Sequence, residues 1–313
     1  MKKLLYIVVV LFLFSACQKI IEIDLPKHEI KPVINCLFSP NRPFKVHVSL
    51  SSVPTDTTTY SIENARVVIV EKEGLATQLK SVGKGYYSKK SFRPEKGIEY
   101  TLKVKVPDFN EVVATGSVPD NGVEIKRIES KSGNKTQTEV GMGEDAIIPV
   151  QFITIDFLQN IQVPDFMGVT IINNSISYSI INDSTFYTED KTRFNFGFLE
   201  SNDPSIKNEG LDSYYEFYIL LFRDLLFNNP EAMVKFNVEK KTDSKYWIRF
   251  FRFSPEAFKY LKSWIIHYYT QDYDFWEVYE PQILYSNIEN GYGIFAGYSE
   301  QIFVTYPDST TTY

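Results

Sequence analysis

An acidic and aromatic segment near the C-terminal end carries side chains that could do chemistry. Asp272, Asp274 and Glu277 could offer oxygens to Ca²⁺, but their order lacks the glycine and the spacing of an EF-hand loop. Asp274 and Glu277 could also form the carboxylate pair of a glycosidase, although a chain with 39 acidic residues contains many such pairs. A solvated helix end explains the same pattern without a ligand. The carboxylates of this segment do not by themselves predict a hydrolase, and we keep hydrolysis as an alternative to a non-enzymatic function.

Aromatic side chains in and around this segment are candidates for binding a sugar ring, a peptide or a partner protein. The four candidates are Trp264, Tyr273, Trp276 and Tyr279. Tyrosine and tryptophan combine a large apolar face with a polar group, which suits them to binding surfaces. Packing in the core is the alternative, and we expect it to account for at least half of the four.

The sequence lacks the common motifs of nucleophilic and metal catalysis. It has no phosphate-binding glycine loop, no Gly-x-Ser-x-Gly and no His-Glu-x-x-His. Its three histidines, His28, His47 and His267, lie far apart along the chain. A serine triad or a two-histidine metal site would need several such groups to converge. We therefore predict a protein without enzymatic activity, metal or cofactor.

Cys17 has the most clearly specified chemistry in the chain. The positive pair Lys2-Lys3 precedes the apolar run Leu4–Phe14, which is shorter than the ~20 residues of a spanning helix and is typical of a signal peptide. The small residues Ser15-Ala16 directly before Cys17 resemble the bacterial lipobox, in which the cysteine thiol is acylated with fatty chains such as palmitate. We predict a signal peptide over residues 1–16 and lipid attachment at Cys17. A plain signal peptide with an incidental cysteine is the alternative.

Composition limits the partners of the mature chain. The chain has 33 basic and 39 acidic residues, a net charge of −6, and no clustered basic stripe. Nucleic acid is therefore not an expected partner, and anionic lipid would not attract the body. We therefore expect the acyl chains on Cys17 to hold the protein at a membrane. Cys36 is the only other cysteine, so no disulfide framework is expected, and we predict a buried thiol.

The first domain is predicted over residues 27–119, after a lipidated tether over residues 17–26. Its clearest strand contains Tyr100, Leu102 and Val104 alternating with polar residues, the period of two that marks a half-buried strand. Short strands with regularly spaced turns favour an antiparallel sandwich. The pattern resembles immunoglobulin-like or transthyretin-like modules.

The second domain is predicted over residues 120–313, as a larger antiparallel β domain. Ser130–Asp145 is polar and aperiodic and is predicted as an exposed loop, and a hairpin is predicted around Asn173-Asn174-Ser175. Ser254 and Pro255 suit the start of a helix, and an apolar stripe at helical period extends it over about 254–270. The predicted fold class is therefore mainly all-β, with one prominent C-terminal helix.

Both ends of the mature chain carry a family signature. The tether Cys17–Pro26 has the form Cys-x-Lys-x-Ile-x-Ile-Asp-Leu-Pro, and Glu280–Tyr298 contains Ser-Asn-Ile-x-Asn-Gly-x-Gly-Ile-Phe. Together they resemble the Bacteroidota outer-membrane lipoprotein family known as domain of unknown function forty-two forty-nine. Asn287 and Asn290, in the second segment, are further candidates for binding a ligand or a partner.

The resemblance implies a role at the outer membrane. Genes of this family commonly neighbour TonB-dependent receptors, so the resemblance implies a non-enzymatic accessory or ligand-binding partner of such a receptor in nutrient uptake, with a glycan or a peptide as the possible ligand. Lys19 with the later acids Glu22 and Asp24 resembles a surface-export pattern, which favours the cell surface over the periplasmic face. A surface hydrolase acting on glycan or peptide is the alternative function.

Three short motifs resemble the Bacteroidota O-glycosylation site, an aspartate followed by serine or threonine and a small residue. They are Asp56-Thr57-Thr58, Asp183-Ser184-Thr185 and Asp308-Ser309-Thr310. All three fall in predicted turns or tails, where a modifying enzyme would have access. The candidate attachment residues are Thr57, Ser184 and Ser309.

Overall fold

The structure is a computed structural model that describes most of the chain from residue 29 onward. The described residues are 29–53, 56, 58–72, 74–120, 123–138, 145–159, 164–181, 184–196, 199–207, 209, 218–223, 229–240, 245–270 and 283–313. The chain divides into two units, Met1–Ile30 and Lys31–Tyr313, and every element named below belongs to the second. Across the described part of the chain, no helix is long and apolar enough to cross a membrane.

The elements are mostly strands. The strands are β1 (Pro32–Phe38), β2 (Lys45–Leu50), β3 (Tyr60–Ser61), β4 (Arg66–Glu71), β5 (Ala76–Gly83), β6 (Tyr86–Ser88), β7 (Glu99–Lys105), β8 (Val112–Ser117), β9 (Glu124–Thr138), β10 (Asp145–Leu158), β11 (Phe166–Ile181), β12 (Ser184–Phe196), β13 (Leu199–Glu200), β14 (Leu220–Arg223), β15 (Glu231–Glu239), β16 (Tyr246–Phe253), β17 (Tyr292–Thr305) and β18 (Ser309–Thr312). Among the described residues, the helices are α1 (Pro204–Lys207) and α2 (Pro255–Tyr269).

The strands form two sheets. The larger sheet runs β12-β11-β16-β17-β1-β2-β6-β5-β4-β7-β8, with β14 also paired to β11 and β3 to β2. The smaller sheet runs β13-β15-β10-β9-β18. The β1–β17 pair is parallel, with Val33 opposite Tyr292 and Phe38 opposite Gly297. The C-terminal strand β17 therefore joins the strands of the first half of the chain to those of the second half.

Alternation of side chains explains why these segments form strands. In β7, Tyr100, Leu102 and Val104 are fully buried, while Lys103 and Lys105 face solvent. This is the pattern of a strand with one face on a core. The predicted fold class is confirmed: the chain is mainly β, with sandwich-like antiparallel sheets and one prominent helix, α2, in its C-terminal part.

Three clusters of buried apolar residues hold the sheets and the helix together. The first includes Val46, Leu102 and Phe295 and fills the sandwich of strands β1–β8. The second packs the smaller sheet against one face of β11, β14 and β16, and Phe250 lies within it. The third packs α2 against the other face of β16 and β17, where Phe253 lies. The strands β11 and β16 thus lie between the smaller sheet and the helix.

Helix α2 begins where its capping residues predict. The Ser254 side chain accepts a hydrogen bond from the Ala257 N–H at 3.2 Å, and Pro255 occupies the first helical position. Phe258 and Ile265 are buried against the sheet. The helical period, the N-cap and the apolar stripe all indicate the same limits. The predicted helix, about 254–270, therefore agrees with the observed one to within one or two residues.

Two predictions of local structure were wrong. Residues 130–138 belong to strand β9 and pair with β10, although over residues 131–136 the side chains are mostly exposed. Their polar sequence follows from this exposure, because the ladder of backbone hydrogen bonds forms the strand without burial. Asn173-Asn174-Ser175 is not a hairpin turn. These residues lie inside the continuous strand β11, where a shift in register at 174–176 accommodates them as a bulge.

One of the predicted domain limits lies within the described residues. The signal peptide (1–16) and the tether (17–26) lie outside the described residues. The limit predicted at 119–120 lies between β8, the last strand of the larger sheet's first half, and β9, which belongs to the smaller sheet. Strand β17 then returns to pair with β1, so the C-terminal segment contributes to the sheet that begins at residue 32.

Candidate functional site

Several predicted site residues lie outside the described part of the chain. They are Cys17, Thr57, Asp272, Tyr273, Asp274, Trp276, Glu277 and Tyr279. Ser184 is described only as the first residue of strand β12. The remaining candidates are Trp264, Asn287, Asn290 and Ser309, and the structure places each of them.

Trp264 lies on the solvent side of helix α2. Its side chain is 39% exposed, and Tyr268, one helical turn further on, is 52% exposed. The two rings lie 6.0 Å apart between centroids, at 35°. A sequence spacing of four brings the rings to one face of the helix. Trp264 and Tyr268 form an exposed aromatic pair, whereas Phe258 and Ile265, on the adjacent face, provide the packing.

Asn287 and Asn290 are bound to backbone. The Asn287 amide donates to the carbonyl oxygens of Thr115 (3.0 Å) and Phe295 (2.8 Å), and its oxygen accepts from the Phe295 N–H (3.0 Å). The Asn290 amide donates to the Glu111 carbonyl at 3.1 Å, and its backbone adopts a positive φ of 59°. These bonds tie residues 287–290 to strand β8 and to the start of β17.

We call Ser286–Gly297 the closing segment, because it covers the free edge of β8. Glu289 and Val113 exchange two backbone hydrogen bonds, at 2.9 and 3.4 Å. A Cβ added at Gly293 would overlap the carbonyl oxygen of Ile34, and one added at Gly297 would overlap that of Ser117. Glycine at these two positions is required for close approach of β17 to β1 and β8.

Ser309 is the first residue of β18, directly after the turn that follows β17. Its hydroxyl donates to the Tyr306 carbonyl at 2.6 Å and accepts from the Tyr306 N–H at 3.2 Å. The neighbouring Asp308 carboxylate accepts from the Ser132 N–H at 2.6 Å and from the Ser132 hydroxyl at 2.8 Å, and these bonds lower the pKa of Asp308. The motif Asp308-Ser309 therefore stabilises this turn while the Ser309 hydroxyl is unmodified, because glycosylation would remove the hydrogen that this hydroxyl donates.

A cleft that the sequence did not point to lies where three segments meet. Its walls are the end of β8 with the residues after it, the residues that enter β11, and the junction of β16 with α2. Its volume is about 240 Å³. The charged and polar residues that line it are Ser117, Asp120, Asp165, Arg252 and Ser254, and the apolar ones are Pro119, Pro164, Phe166, Phe253 and Pro255.

A buried ion pair forms the floor of this cleft. The Arg252 guanidinium donates to a carboxylate oxygen of Asp165, and the two residues are only 8% and 4% exposed. Burial lowers the pKa of Arg252, and the negative charge of Asp120 acts in the opposite direction. Charged groups this deeply buried are rare unless they are paired, and perturbed ones concentrate at functional sites.

Asp120 lies at the mouth of the cleft and is exposed. Its carboxylate lies over Gly97, which has a positive φ of 75°. A Cβ at position 97 would come within 2.9 Å of the Asp120 carboxylate oxygen. Because Gly97 has no Cβ, there is room for the Asp120 carboxylate beside the cleft. The Gly97 N–H donates to the Val118 carbonyl at 3.0 Å, and this hydrogen bond holds the backbone at residue 97 against the end of β8.

One signal in the sequence could have located this cleft. In β16, Tyr246, Ile248 and Phe250 face the core between the sheets, and Arg252 is the next residue in that alternation. A charge at a core-facing position needs a buried partner. Its partner Asp165 is 87 positions away in sequence, so spacing along the chain alone does not identify the pair.

The chain matches a known protein family over most of its length. A family model described as Domain of unknown function (DUF4249) matches residues 18–302. The match includes the closing segment and every residue that lines the cleft. No curated protein matches the chain.

Proposed function

Since the chain belongs to the family Domain of unknown function (DUF4249), we propose that it is a lipoprotein of the outer membrane, held there by acyl chains on Cys17. Its proposed role is that of a non-enzymatic accessory or ligand-binding partner of a TonB-dependent receptor in nutrient uptake. The observation that carries the proposal is the leader, in which a positive pair, a short apolar run and Ser15-Ala16 precede Cys17.

The acyl anchor would act by raising the effective concentration of the protein near its receptor. A protein confined to the membrane next to its receptor meets that receptor far more often than a free protein would, without any new contact. The exposed pair Trp264 and Tyr268 supports a contact surface on α2, because aromatic side chains dominate the energies of many interfaces.

Purification of the tagged native chain from detergent-solubilised membranes tests the partner. We expect a β-barrel receptor to co-purify. The double variant Trp264→Ala/Tyr268→Ala should reduce the recovery of the receptor. The control is Tyr306→Ala, which removes an aromatic ring that is 56% exposed and lies after β17, away from α2 in the sequence. It should leave the recovery unchanged. Recovery of no outer-membrane receptor with the wild-type chain would contradict the proposal.

Metabolic labelling tests the anchor separately. A palmitate analogue should mark the wild-type chain, and Cys17→Ala should lose the mark and leave the membrane fraction. Protease treatment of intact cells would then distinguish the cell surface from the periplasmic face. If the purified chain instead cleaved oligosaccharides or peptides, and Asp274→Asn or Glu277→Gln abolished the cleavage, the hydrolase would replace the accessory role.

A further inference from the structure

We propose that the cleft formed by Ser117–Asp120, Pro164–Phe166 and Arg252–Pro255 is a binding site for a small organic cation, a ligand with one alkylammonium group. Asp120 would bind the ammonium group, and the proline and phenylalanine side chains would contact the alkyl part. The site is distinct from the aromatic pair on α2, and the inference does not depend on acylation of Cys17.

The charge of the cleft favours a cation. Its lining contains two carboxylates, Asp120 and Asp165, and one guanidinium, Arg252. Asp165 and Arg252 form the buried pair at the floor, and the charge of Asp120 also acts on Arg252, so these three groups together leave the cleft with one net negative charge. A ligand cation at Asp120 would balance that charge with a charge-assisted hydrogen bond.

The start of helix α2 does not reverse this preference. A helix N-terminus normally attracts anions through its free N–H groups. Here Pro255 has no N–H, and the Ala257 N–H is bound by the Ser254 hydroxyl at 3.2 Å. Glu256 adds another negative charge to the first turn. The end of the helix that meets the cleft therefore offers few donors to an anionic ligand.

The walls determine the size and shape of the ligand. Prolines 119, 164 and 255 together with Phe166 and Phe253 surround the charged groups with apolar surface. Phenylalanine faces also attract cations. The volume of about 240 Å³ is smaller than the roughly 300–1,000 Å³ of sites for drug-sized molecules, so a short alkylammonium is the appropriate class.

Titration calorimetry on the full chain with n-butylammonium tests the proposal, with n-butanol and n-butyrate as neutral and anionic probes of similar shape. We expect n-butylammonium to bind more tightly than either probe. Asp120→Asn should weaken its binding roughly 10- to 100-fold, the value of a hydrogen bond to a charged group. The matched control Glu231→Gln, which removes an exposed carboxylate from the smaller sheet, should leave the binding unchanged.

A second variant separates loss of charge from loss of fold. Ser117→Leu fills the cleft without changing its charge and should also abolish binding of n-butylammonium, while the unfolding midpoint in urea shows that the chain is folded. The proposal is overturned if n-butyrate or n-butanol binds as tightly as the amine, if Asp120→Asn binds the amine like the wild type, or if the amine does not bind at all.

Discussion

In the closing segment, the amides of Asn287 and Asn290 bind backbone groups in and next to β8 and β17, whereas in the cleft an exposed carboxylate, Asp120, lines the cavity together with the buried pair Arg252–Asp165. The first region is continuous in sequence and has the appearance of a motif. The second is assembled from three stretches that no motif connects. The region that has a recognisable sequence motif thus stabilises the fold, and the region without one forms a cavity that contains charged groups.

The difference follows from what each region must do. Covering the edge of β8 requires adjacent residues with fixed backbone angles, hence glycines and asparagines at short spacing. A pocket requires side chains that converge from different elements, so its residues are dispersed along the chain. In this fold, a short motif rich in asparagine and glycine should first be tested for a structural role.

The largest expected effect comes from the cleft. Arg252→Met leaves the buried charge of Asp165 without its partner and should lower the free energy of unfolding by about 3–5 kcal/mol. The control is Arg127→Met, which breaks a pair with Asp156 in which Arg127 is 48% exposed, and it should cost less than ~1 kcal/mol. Urea denaturation measures both.

The double variant Arg252→Met/Asp165→Leu sharpens this comparison. Removing both charges leaves no unpaired ion, so most of the lost stability should return. If the double variant is as unstable as Arg252→Met alone, the damage arises from packing and not from an unpaired carboxylate.

The next effect comes from the closing segment. Gly293→Ala places a methyl group against the Ile34 carbonyl at a φ of 107° and should destabilise the chain by about 2–5 kcal/mol. Gly83→Ala is the matched control, because Gly83 also has a positive φ, 93°, but no atom lies within 4 Å of the added Cβ. It should cost only ~1–2 kcal/mol. Equal losses in urea denaturation would mean that backbone strain, and not close approach, explains the glycine at 293.

A smaller effect tests the hydrogen bonds of the closing segment. Asn287→Ala removes three bonds to backbone groups and should cost about 1–3 kcal/mol. Asn290→Gly removes one exposed bond but relieves the positive φ of 59°, and it should change the unfolding free energy by less than ~0.5 kcal/mol. If Asn287→Ala were also nearly neutral in urea denaturation, the segment would not depend on this side chain to close the edge of β8.

The sequence predicted the parts of this fold that depend on local periodicity. The alternation of Tyr100, Leu102 and Val104 predicted β7, and the cap at Ser254 predicted α2. It did not predict the outer part of β9, because a strand exposed on both faces carries no apolar period. Nor did it predict the cleft, because the contact of Arg252 with Asp165 depends on the pairing of β16 with β11, which no local pattern encodes.

The last prediction concerns the residue that both caps α2 and lines the cleft. Ser254→Ala removes the acceptor for the Ala257 N–H and should cost about 1 kcal/mol in urea denaturation. The same change frees that N–H beside the cleft, so binding of n-butyrate, measured by calorimetry, should increase relative to n-butylammonium. Ser254→Asp keeps an acceptor at the cap and should preserve both stability and the preference for the amine. An unchanged preference in Ser254→Ala would mean that the cap does not contribute to the selectivity of the cleft, which would then depend on Asp120 alone.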